Sequence, residues 1–139
     1  MAMIDVQEKH AQGAISALRP LIQQADDLGL KYVSVESAIS MADGMMQNHD
    51  YTHAQQELER ALLLSDKLGM QPLSARANYL MAVIARDSGN RSEALDHYRE
   101  ALRLLDAMKK DPGAEKLLQR TDFKAIYDES TRATEATLE

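Results

Sequence analysis

Residues 85 to 102 read ARDSGNRSEALDHYREAL. Two helical patterns meet across Ser88-Gly89-Asn90. Gly89 breaks the first, and Asn90 is placed to cap the second, with Glu93 three residues on as its capping-box partner. Beyond the turn, Ala94, Tyr98 and Ala101 follow at spacings of four and three, the pattern of one helix face. Small residues stand where a core helix usually carries Leu. Two helices joined by so short a turn run antiparallel and pack closely, and Ala94 opposite Ala82 lets the backbones approach. Met81 and Tyr98 fill the space beside that crossing, and Ala101 leaves room for the next helix. A Leu at position 94 is expected to overpack the crossing at a cost of roughly 1–3 kcal/mol.

The pattern recurs. At an offset of 40 residues, Ala14, Ala54 and Ala94 coincide, as do Leu18, Leu58 and Tyr98, then Leu21, Ala61 and Ala101. Asp26, Asp66 and Asp106 align, Gly29 matches Gly69, and Met41-Ala42 matches Met81-Ala82. A fixed period of this size is the signature of stacked supersecondary units. The last full copy spans 73–109, with helix A over 73–88 and helix B to about Met108. The copy before it spans 34–69, with helix A over 34–47, a turn at Asn48-His49-Asp50 and helix B over 51–68. Gly69 is placed to close that helix, and Pro72 to open the next. Residues 5–30 read as a helix B that lacks most of its helix A, with a kink or boundary near Pro20.

The tail does not repeat. Asp111-Pro112 and Thr121-Asp122 are helix-start signals, and Leu117, Leu118, Phe123, Ile126 and Tyr127 carry the apolar positions. Residues 112–134 are therefore expected to cap the stack with a polar outer face. One domain is expected over 1–135, and the polar end TRATEATLE is expected to fray, with 136–139 a tail or cloning scar.

Bulk composition agrees with helix. Apolar residues make up 45% of the 139, charged residues 27% and aromatics only 4%, with no Trp. Ala, Leu, Met, Glu, Gln and Arg dominate, and these favour helix over strand. A net charge of -6 repels phosphate backbones, so no nucleic-acid partner is expected. The absence of cysteine removes disulfides, thiolate metal sites and Cys nucleophiles. No apolar run approaches the roughly 20 residues that span a bilayer, so no membrane partner is expected. The opening MAMIDVQEKH has neither the basic nor the apolar region of a signal peptide. A cytoplasmic location is expected, and the chain reads as a piece of something longer.

Residues 75–106 resemble the tetratricopeptide repeat closely. The matching positions are Ala82 in mid helix A, Gly89 at the turn, and Ala94, Tyr98 and Ala101 on helix B. Residues 35–66 match with Ala42, Tyr51, Ala54, Leu58 and Ala61, but His49 stands at the turn where the family has Gly. Residues 14–30 match only the helix B half. The family period is about 34 residues, and the longer repeat here is similar to those of kinesin light chains and bacterial regulators. Ala38 and Asn78 replace the usual Trp or Leu early in helix A, and Asp66 and Asp106 replace the usual terminal Pro. The resemblance implies an all-α, right-handed α-solenoid of antiparallel helix hairpins with a C-terminal capping segment. It further implies a concave face lined by helices A. The groove-facing positions carry over to Glu36, Ile39, Ser40, Asp43, Met46 and Gln47, and to Arg76, Tyr79, Leu80, Val83, Arg86 and Asp87. The peptide-carboxylate clamp of chaperone-binding members is not expected, because its positions hold Ile39 and Asp43, leaving Arg76 as the one suitable cation.

His49 and His53 lie one turn apart, a spacing that can share a metal. No third ligand is evident nearby, so a solvated turn is the better reading. His10 and His97 read as isolated and exposed. Met41 and Met81 fall in the core by phase, whereas Met46 falls on the groove side. Arg91, Arg99, Arg103, Lys109 and Lys110 alternate with acids and read as a solvated, salt-bridged face. No phosphate loop, nucleophile elbow or HExxH occurs. No catalytic, cofactor or metal residue is therefore assigned, and an enzyme is not expected. The reading is a protein-protein interaction scaffold that binds a peptide or protein segment on the helix A surface. The alternative is a C-terminal regulatory or oligomerisation module of a larger bacterial signalling protein (a kinase or transcriptional regulator), with a homodimer as its partner state.

Overall fold

The computed structural model describes residues 18–20, 22 and 30–138. Among these, every regular element is helical. Of the helix expected over 5–29, residues 18–20 and 22 are helical, and the rest, His10 included, lies outside the described residues. The helices are α1 (Lys31–Gln47), α2 (Tyr51–Leu68), α3 (Gln71–Asp87), α4 (Arg91–Met108), α5 (Glu115–Leu118) and α6 (Thr121–Leu138), with a 3₁₀ turn at Pro112–Ala114. They pack in sequential antiparallel pairs. By contacts the chain divides into two compact units, Met1–Leu73 and Ser74–Glu139, with the division inside the first turn of α3.

In the first unit, α1 and α2 form a hairpin that closes on small residues. Ala42, Ala54 and Ala61 are all buried, with Met41, Met45 and Leu58 beside them. The turn is fixed at both ends. Asp50 caps α2 by accepting the His53 backbone N–H at 3.3 Å. The end of α1 is closed by two bonds, His49 N–H to Met46 C=O at 3.0 Å and Asp50 N–H to Met45 C=O at 2.8 Å. This is the Schellman arrangement, whose C′ residue is left-handed and is usually Gly. Here it is His49, with φ of 61°.

The same closure ends α2 and α3. Met70 N–H bonds Ser65 C=O and Asn90 N–H bonds Ala85 C=O, each at 2.8 Å. Their C′ residues are Gly69, with φ of 70°, and Gly89, with φ of 82°. The chain thus turns in one way at three points, twice through Gly and once through a residue that resists the conformation.

In the second unit, α3, α4 and α6 surround two apolar clusters. One gathers Ala75, Ala101, Leu104, Leu105, Met108, Ala114, Phe123 and Ile126. The other gathers Ala82, Ala85, Ala94 and Tyr98, with Tyr79 and Ala133 packed against it. Asn90 caps α4, its Oδ1 accepting the Glu93 N–H at 3.3 Å while its Nδ2 donates to Glu93 Oε2 at 2.7 Å. Asn78 is buried and satisfied on both sides. Its Nδ2 donates to Ser74 C=O at 3.0 Å, and its Oδ1 accepts from His97 Nδ1 at 3.0 Å. Because a carboxamide oxygen only accepts, that nitrogen of His97 carries the proton. His97 is therefore half-buried and paired, not isolated and exposed.

Two further expectations change. Ala94 borders a hollow of about 200 Å³ that Ala133 and Ala136 of α6 also line. A larger side chain at 94 has open space in that direction, which the short turn alone did not reveal. The end expected to fray is helical, with α6 continuing through Leu138.

Candidate functional site

The positions proposed for a binding face fall on two stripes of helix. Glu36, Ser40, Asp43 and Gln47 lie at i, i+4, i+7 and i+11 of α1, and Arg76, Leu80, Val83 and Asp87 do the same in α3. Ile39 and Met46 of α1, with Tyr79 and Arg86 of α3, form the neighbouring stripe. A periodicity of 3.6 residues separates two such stripes by only part of a turn. Sequence spacing therefore could not tell which one stays open.

The first stripe is accessible throughout. Glu36, Gln47 and Asp87 are exposed, and Ser40, Asp43, Arg76, Leu80 and Val83 are half-buried. The second is taken into the core in α1, whereas in α3 Tyr79 is half-buried and Arg86 exposed. Ile39 is 0% exposed and Met46 only 9%, so both belong to the core. Met46, assigned by phase to the groove side, is thereby placed with Met41 and Met45.

Tyr79 and Arg86 are engaged within the second unit by α4 and α6. The Tyr79 ring meets the Tyr98 ring edge-on, with centroids 6.3 Å apart. Arg86 Nη1 donates to the Tyr98 hydroxyl at 3.3 Å, and the same nitrogen stands 3.8 Å from Glu129 Oε1. Arg86 Nε pairs with Asp87 at 3.2 Å. Burial, followed by a hydrogen bond to Glu129, holds the Tyr79 hydroxyl protonated far above the usual tyrosine range. Tyr98 is raised as well, chiefly by burial. These contacts tie α6 to the α3–α4 pair through Tyr79 and Arg86, while Tyr79 stays half-buried and Arg86 exposed.

The histidines in the first turn serve the turn. His53 Nδ1 donates to Asp50 Oδ2 at 2.7 Å, and the His49 ring meets Tyr51 edge-on at 6.2 Å. No group of three His, Asp or Glu side chains placed to hold a metal occurs among the described residues. Of the five cations expected on a salt-bridged face, Arg103 pairs with Glu100, where Nε reaches Oε2 at 3.0 Å, and Lys109 with Asp106 at 3.6 Å, while Arg91, Arg99 and Lys110 are exposed. No helix among the described residues is long and apolar enough to cross a membrane.

Sequence reasoning missed a second concavity, at the far end of α4. A hollow of about 490 Å³ is lined by Lys109, Leu118, Gln119, Phe123, Lys124, Tyr127 and Asp128. Apart from Lys109 at the end of α4, its residues come from the segment 118–128, which does not repeat, so the 40-residue period held no trace of it. Comparison with known proteins places none beside this chain: no family model, no curated protein and no solved structure matches it.

Proposed function

We propose that this chain is a tetratricopeptide-like interaction module that binds a protein segment along helix A. The open stripes carry the reading. They stand at equivalent positions in both helices A, offset by 40 residues, and mix charged with apolar side chains on rigid helix. Such a surface provides anchors for a partner without needing to rearrange. The alanine crossings support the family assignment, since Ala42, Ala54 and Ala61 are buried in one hairpin as Ala82, Ala94 and Ala101 are in the other. The right-handed stacking of the hairpins and a cytoplasmic location belong to the same proposal.

One observation favours the alternative of a self-associating regulatory module. In the first unit Leu30, Tyr32, Val33, Leu63 and Leu68 are exposed, with Leu63 at 75%. Where such exposed apolar side chains adjoin, they form the kind of patch that marks a contact surface.

The test is affinity capture with wild type and with a Leu80→Glu, Val83→Glu double variant. Both positions are only half-buried, so the fold is expected to survive, as circular dichroism would check. The proposal expects specific partners of the wild type to be lost from the variant. An unchanged partner set would place binding elsewhere, and light scattering that showed a concentration-dependent dimer would favour the alternative.

A further inference from the structure

The last helix is held unevenly along its length. The first half of α6 is anchored by Phe123 and Ile126, both buried in one cluster with Leu104, Leu105 and Met108 of α4. From Asp128 onward no large apolar residue follows until Leu138. In that stretch Ala133, half-buried, is the side chain that packs against the cluster of Ala82, Ala85, Ala94 and Tyr98. Ser130, Thr131, Thr134 and Thr137 lie in the same stretch and are weaker helix formers than Ala, Leu or Glu. The interface beneath is incompletely filled, since Ala133 and Ala136 share the hollow of about 200 Å³ with Ala94, Leu95 and Tyr98 of α4.

The polar ties gather at the start of the stretch, on Glu129. It takes the Tyr79 hydroxyl and stands 3.8 Å from Arg86 Nη1. Arg86 stays exposed and shares its guanidinium with Tyr98 and Asp87. An ion pair of that kind is screened by salt and contributes little. The next residue, Ser130, is fully buried, and its hydroxyl has no hydrogen-bond partner among the described residues. Opening would return that hydroxyl to water and lift its desolvation penalty. A segment with few buried apolar contacts, beside one that is well anchored, is where local opening occurs first.

We infer that residues 129–138 form a releasable strap with Glu129 as its clasp, and that its opening uncovers Tyr79, Ala85 and Tyr98 beside the open stripe of α3. The structure holds the closed state. Opening widens the helix A face by an apolar and aromatic strip, so the strap regulates the same face that the proposed function names, and its use there rests on that reading. The opening itself is measured without a partner, so the two fail separately: an absent strap leaves the open stripe in place, and the Leu80→Glu, Val83→Glu variant leaves α6 untouched.

The experiment is maleimide labelling of the full chain, which has no cysteine of its own, carrying Ala85→Cys or, as the control, Ala75→Cys. Ala85 lies in the cluster that Ala133 packs against, whereas Ala75 lies in the cluster that holds Phe123 and Ile126. Rates are compared without urea and at low urea. The Ala85→Cys thiol should label about tenfold or more faster than the Ala75→Cys thiol, and with little urea dependence, because a local opening exposes little surface. The control should steepen with urea as global unfolding does. Glu129→Gln keeps an acceptor for Tyr79 but removes the charge facing Arg86, and should speed Ala85→Cys labelling about two- to fivefold. Ala133→Leu places apolar atoms in the hollow and should slow it about fivefold or more. The inference is overturned if the two thiols label at one rate with one urea slope. It is equally overturned if Glu129→Gln or Ala133→Leu fails to move the Ala85→Cys rate in the stated direction, the mark of a thiol reached without opening.

Discussion

Replacing Ala82 by Leu tests the packing of the hairpins at its tightest point. Ala82 is 0% exposed and shares a cluster with Ala85, Ala94 and Tyr98. Leu adds three heavy atoms to a site that is closed on every side, and such insertions cost about 1–3 kcal/mol in a well-packed core. Ala94, in the same cluster, gives an internal comparison because it borders the hollow of about 200 Å³. Leu at 94 can extend into that space, where newly buried apolar area offsets strain, so its effect should stay within about 1 kcal/mol of zero. The assay is urea unfolding followed by circular dichroism. With a slope of roughly 2 kcal/mol per molar urea, a 2 kcal/mol loss lowers the midpoint by about 1 M. Ala82→Leu should show such a drop and Ala94→Leu little change. If the order were reversed, the placement of the crossing and of the hollow would both be wrong.

Other outcomes follow from single observations. His49→Gly should stabilise the chain by about 0.5–1 kcal/mol, because it relieves a left-handed backbone that Gly adopts freely, and urea midpoints would reveal the gain. Asn90→Ala should cost about 1 kcal/mol through the lost cap on α4, again read from unfolding curves. Tyr79 and Tyr98 are raised above the ordinary value of 10.0, so folding favours their protonated forms. Their contribution is fully present below that value and is lost as pH rises above it. Stability should therefore fall in the alkaline range above about pH 10, and Tyr79→Phe with Tyr98→Phe should flatten the fall. Glu100 runs the other way: its bond to Arg103 lowers it below 4.5, so its contribution is lost as pH drops through the acid range, and an Arg103→Gln variant should lose that dependence.

Much of this fold was legible because its turns and crossings are built from residues with one clear use. Gly69, Gly89, Asp50 and Asn90 mark helix ends by backbone geometry and capping, which are local effects that a sequence reports directly. The alanines at 42, 54, 61, 82, 94 and 101 were legible because they recur in phase. What escaped depends on elements far apart in the chain. Tyr79 and Arg86 look like interface residues by type, yet α6 claims them through Glu129 and Ala133, and α6 belongs to no repeat. Asn78 and His97 satisfy each other across 19 residues, a pairing that periodicity does not encode. Met46 differs from an open position only by part of a helical turn. The hollow beside Lys109 arises where the repeat stops, so its lining had no second copy to signal it.

The absence of cysteine makes one measurement especially direct. Single cysteines introduced along α3 at Arg76, Leu80, Val83 and Asp87, and separately at Tyr79 and Ala82, can be labelled with a maleimide and their rates compared. The first group should react fast in the free chain and slow when the captured partner is added, while the second group should react slowly in both. Slow labelling of Leu80→Cys and Val83→Cys in the free chain, or rates that the partner leaves untouched, would contradict an open helix A stripe as the binding surface.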